Sequence, residues 1–110
     1  MSKPDQNAMF HEAMLGIYRR AGESALLGYS ASLFGLEIKE YGGLETARRC
    51  IRSKELGTGF LALARLNRLD LTLEALIHDN PKWHALFSEE ELAICTRRLK
   101  AFHYDKVRDP

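Results

Sequence analysis

At 110 residues, with 45% hydrophobic and 28% charged residues, the chain has the length and composition of one globular domain. Its net charge of +1 excludes a global electrostatic pull toward nucleic acid or a membrane surface. Two cysteines, Cys50 and Cys95, are too few for a disulfide framework; each falls on an apolar helical stripe and reads as a reduced thiol packed like a small hydrophobe.

The polar start, Met1 to Asn7, has no apolar signal-peptide core, and no apolar run reaches the roughly 18 residues of a membrane span. A cytoplasmic protein of bacterial type is the expectation. The first helix is expected from about Asp5 to Ala21, where Phe10, Met14, Ile17 and Ala21 recur at helical spacing. Pro4 and Asp5 suit its entry and Gly22 its stop. A second helix is expected over Tyr29 to Tyr41, with Phe34, Ile38 and Tyr41 in one stripe and Leu33 and Leu36 widening it. Gly35 inside it costs about 1 kcal/mol relative to alanine. It either lets another helix close in or weakens the segment.

Gly42-Gly43 breaks the chain, and a third helix follows over Leu44 to Ser53 with Leu44, Ala47, Cys50 and Ile51 inward. After a loop of small and polar residues, the run from Gly59 to Ile77 reads as two helices meeting at a polar corner. The fourth helix spans Phe60 to Asn67, the corner is Arg68-Leu69-Asp70-Leu71, and the fifth spans Thr72 to His78. Asp70 or Thr72 can cap the fifth by accepting a backbone N–H. The alternating Leu69, Leu71 and Leu73 imitate a strand, but one strand without a pairing partner is not stable.

Asn80-Pro81 opens a short helical turn, with Asn80 as its cap and Trp83, Leu86 and Phe87 packing from it. Ser88 and Glu91 stand at capping-box spacing before a last helix that runs to about His103, with Leu92, Cys95, Leu99 and Phe102 inward. The fold class that follows is all-α: a compact single-domain bundle of about five to six short helices over residues 1–110. Its ordered core covers about 5–103, and the tail beyond is expected to fray.

The chain holds fragments of catalytic patterns, none of them complete. His11-Glu12 opens like a zinc-protease motif, but the position that needs the second histidine is Leu15. His78 and His84 straddle a proline turn, a poor metal spacing. His103 sits where an imidazole can meet the last carbonyls of a helix. Gly57-Thr58-Gly59 lacks the lysine and preceding strand of a phosphate loop. Glu89, Glu90 and Glu91 are explained by capping. No catalytic residue, metal ligand or cofactor is assigned.

Charge is segregated along the chain. Leu44 to Arg68 carries six basic residues against two acidic, Leu69 to Thr96 one against six, and Arg97 to Arg108 five against one. Arg48, Arg49, Arg52 and Lys54 gather around the end of the third helix, a candidate phosphate-binding face. The corner after the fourth helix suggests a helix-turn-helix, but Thr72 to His78 is short and apolar and offers no side chain to read base edges. The acidic middle can equally dock on the basic helices within the fold.

Four segments carry a resemblance. They are His11 to Leu15 with Ile17 to Ala21, Tyr41 to Arg49, Gly59 to Ile77, and Trp83 with Leu86-Phe87, Glu90 to Leu92 and Arg97 to Leu99. With its Gly59-Phe60-x-x-Leu63 and Arg68-Leu69-Asp70-Leu71-Thr72-x-Glu74-Ala75-Leu76 signature, the chain resembles a family of small bacterial all-helical domains found alone or appended to other proteins. The resemblance covers about residues 9–104 and implies a helical fold without bringing any catalytic residue. Asn67 stands where that pattern has glycine, and Gly35 where it has a larger apolar residue.

The expected function is a non-enzymatic helical interaction or accessory module. It would bind a protein partner or itself, with Trp83, Tyr29 and Phe87 as candidate aromatic anchors. The alternative is a nucleic-acid accessory protein using Arg48, Arg49, Arg52 and Lys54.

Overall fold

The computed structural model describes the backbone of residues 5–23 and 28–104 and the side chains of residues 5–21 and 34–104. The described residues form α1 (Gln6–Glu23), α2 (Gly28–Tyr41), α3 (Gly43–Arg52), α4 (Thr58–Arg65), α5 (Leu73–His78) and α6 (Glu89–Ala101), with 3-10 turns at Leu69–Leu71 and Pro81–Leu86. No strand occurs among them, so the all-α expectation holds. No helix among the described residues is long and apolar enough to cross a membrane. The expected frayed tail lies outside the described residues.

Several helix ends have an identifiable cause. Asp5 accepts the Asn7 N–H at 2.9 Å and starts α1. Gly22 does not stop that helix, which continues to Glu23. Thr72, not Asp70, caps α5: its hydroxyl accepts from the Ala75 N–H at 3.1 Å and donates to the Leu69 carbonyl at 2.7 Å. Asp70 instead forms a two-pronged pair with Arg68, at 3.0 and 3.1 Å.

Asn80 makes no cap for the turn after it; its amide donates backward to the Leu76 carbonyl at 2.8 Å and closes the end of α5. The Ser88–Glu91 capping box forms as expected, with bonds of 2.8 and 3.1 Å.

Among the described residues, two non-glycine residues take the left-handed conformation, and both end helices. Asn67 (φ 58°) closes α4, where Arg68 N–H reaches Leu63 O and Asn67 N–H reaches Ala64 O. His103 (φ 61°) closes α6 with the same double bond pattern from Tyr104 to Leu99 and from His103 to Lys100. The contribution of His103 is therefore its backbone; its side chain is exposed.

The glycines at 42 and 43 serve different ends. Gly42 adopts φ 84° and ψ 157°, a region that side chains avoid. Gly43 sits so close to α1 that an added Cβ would lie 2.7 Å from the His11 Cα. Its N–H donates to His11 Nδ1 at 2.9 Å, so the histidine tethers the start of α3 to α1. Gly35 serves close packing: a Cβ there would strike the Tyr18 ring at 2.5 Å. The small residue is what lets α1 place an aromatic ring on the α2 backbone.

The main core joins Phe10, Met14 and Ile17 of α1 to Ile38, Ile51, Ile77, Trp83 and Phe87. Phe10 is fully buried and meets Trp83 and Phe87 edge-on, each at 5.4 Å. Three expected inward residues are more open. Leu36 is 62% exposed, Tyr41 45% and Phe102 36%.

Candidate functional site

The least visible feature in the sequence is a buried ion pair. Arg98 of α6 donates through Nη1 to Glu74 Oε2 at 3.1 Å and to the Cys50 carbonyl at 3.0 Å. Through Nη2 it reaches the Ile51 and Ser53 carbonyls at 3.0 and 2.8 Å. These carbonyls lie at the end of α3, where helical acceptors have no partner of their own and the dipole is negative. Burial pushes the Glu74 carboxyl above the usual carboxylate range, while its own backbone N–H and Arg98 pull it back. The side chains of Glu74 and Arg98 retain only 5% and 13% of their exposure.

Above this pair opens a cleft of about 340 Å³. Its walls are apolar: Ile17, Tyr18 and Ala21 from α1, Phe34 from α2, Phe60 and Leu63 from α4, and Leu71 and Leu73. Exposed Glu37, Arg49 and Glu55 form its rim, and Cys50 also lines it. Gly59 of α4 borders the cleft, and an added Cβ there meets no atom within 4 Å. Burial pushes the Cys50 thiol up to about 12, with Glu74 and Glu37 adding to the rise against Arg98. The neutral thiol, not the nucleophilic thiolate, therefore faces the cleft at neutral pH.

The arginines of α3 are engaged within the fold. Arg48 Nη2 donates to the Leu86 carbonyl at 2.7 Å, while its buried Nε has no hydrogen-bond partner among the described residues. Arg49 pairs with Glu45 at 3.2 Å and lies 3.9 Å over the Tyr41 ring. Arg52 meets Glu91 at 3.1 Å. Burial would raise the Glu91 carboxyl, but the Ser88 N–H and Arg52 outweigh it and hold the group below its ordinary value. Lys54 is exposed in the following loop. The basic and acidic blocks of the sequence thus meet through Arg52–Glu91 and Arg98–Glu74.

Trp83 and Phe87 lie in the core, 3% and 8% exposed, and are not presented as surface anchors. Their rings are consumed by packing on Phe10. The Tyr29 side chain lies outside the described residues. His84 Nε2 donates to the Ile77 carbonyl at 2.9 Å, and His78 Nδ1 meets Asp79 at 3.0 Å, so neither histidine faces the cleft. Sequence reasoning missed the cleft, Arg98 and Glu74; the one available signal was an isolated acidic residue in the apolar Leu71 to Ile77 stretch.

No protein-family model, curated protein or solved structure matches this chain.

Proposed function

We propose that the chain is a non-enzymatic helical module that takes a protein partner into the cleft between α1, α2 and α4. The observation that carries this reading is the chemistry of the cleft. It is concave and apolar-walled, Cys50 at its lining stays a thiol, and the Glu74 carboxyl at its base is held by Arg98. Roughly 150 Å³ holds one benzene-sized group, so a cleft of about 340 Å³ suits one large or two small apolar side chains. Buried apolar anchors of that kind dominate interface energetics.

The test uses Gly59→Leu. The substitution projects a side chain into open space beside the cleft and removes a glycine from a helix, which favours folding by up to about 1 kcal/mol. Peptides selected on the wild-type protein from a displayed random library are rescreened on this variant. The expected result is at least a tenfold loss of affinity in a fully folded protein. Undiminished binding of every selected peptide refutes the cleft as the partner site.

A further inference from the structure

Resting on the cleft as partner site, we propose that the bound segment carries a lysine or arginine next to its apolar anchor, seated against Glu37 and Glu55. The charged residues lining the cleft fall into two groups. Arg49 is already met by Glu45 and by the Tyr41 ring, and Glu74 and Arg98 satisfy each other. Glu37 and Glu55 are exposed and form no salt bridge among the described residues.

Among the described residues, the uncompensated charge around the apolar cleft is therefore negative. A cation beside an apolar side chain complements that arrangement. A phosphate backbone or an acidic segment meets like charge at the rim and is disfavoured.

Glu37 is on the open side of α2, and Glu55 is in the loop before α4. Neither holds the fold through a salt bridge, so the double variant Glu37→Lys/Glu55→Lys keeps it, as circular dichroism would verify. Peptides selected from a random displayed library on the wild-type protein are sequenced, and their affinities measured at low and high salt for wild type, Gly59→Leu and the double variant. The proposal expects enriched peptides with Lys or Arg within a few residues of a large apolar side chain. It also expects binding weakened about tenfold by charge reversal, and by added salt in the wild type only.

Peptides that lose binding in Gly59→Leu but carry no basic enrichment and ignore charge reversal overturn this inference while leaving the cleft reading intact. Peptides that ignore Gly59→Leu overturn both. Enrichment of acidic peptides that bind more tightly after charge reversal overturns the charge assignment directly.

Discussion

Replacing Arg98 with methionine removes a cation of similar length and leaves the Glu74 carboxylate buried without its partner. The same change deprives the Cys50, Ile51 and Ser53 carbonyls of their donors. Breaking one side of a buried pair costs about 3–5 kcal/mol, because an uncompensated charge remains inside. A domain of this length has about 5–15 kcal/mol of total stability, so the loss is a large fraction of it. At about 4 °C per kcal/mol, the melting temperature falls by about 12–20 °C.

Urea unfolding followed by helical circular dichroism measures the change, with exposed Arg97→Met as the control. Two further outcomes follow from the cause. The double variant Arg98→Met/Glu74→Met no longer strands a charge and recovers about 2 kcal/mol or more of the loss. The single variant regains stability on acidification. With its carboxyl raised by burial, folded Glu74 holds a proton where the unfolded chain has released it. Its contribution therefore improves as pH falls through the window from its folded value down to the ordinary carboxylate value. A loss below 1 kcal/mol in the single variant, or a double variant no more stable than the single, refutes the reasoning.

Gly42→Ala and Gly43→Ala are each expected to cost about 1–3 kcal/mol by denaturant unfolding, the first through backbone strain and the second through collision with α1. Relief of the second by His11→Gly would be absent, since the clash is with backbone. His103→Gly relieves a left-handed residue and raises stability by about 0.5–1 kcal/mol, seen as a higher melting temperature. Glu91→Ala costs about 1–2 kcal/mol at neutral pH. Because the folded Glu91 carboxyl lies below its unfolded value, that contribution is complete above the unfolded value and vanishes as pH falls through the folded one. Wild-type and variant stabilities should therefore converge in acid.

What the sequence disclosed, and what it hid, follows the range of the interactions. The capping box of Ser88 and Glu91 and the Thr72 cap are complete within three residues, so local spacing states them fully. Asn80 misleads at the same range because an amide can accept forward or donate backward, and only the placement of the preceding turn decides. Arg98 reads as one more cation on a polar helix. Its carbonyl acceptors lie 45 to 48 residues away at the end of α3 and Glu74 lies 24 away on α5, distances no periodicity encodes. The cleft is hidden for the same reason: its walls come from α1, α2, α4 and the turn at Leu69–Leu71, and its open edge at Gly59 is marked by a missing side chain.

The Arg98 clamp also sets an order of assembly. The residue that secures the end of α3 and the floor of the cleft belongs to α6, so it leaves the ribosome after every wall of the cleft has been made. Closing contacts across so many residues carries a loop entropy that shorter nascent chains cannot recover. A chain released before α6 holds the apolar walls without their floor. The cleft is therefore complete only once α6 has packed against α3 and α5.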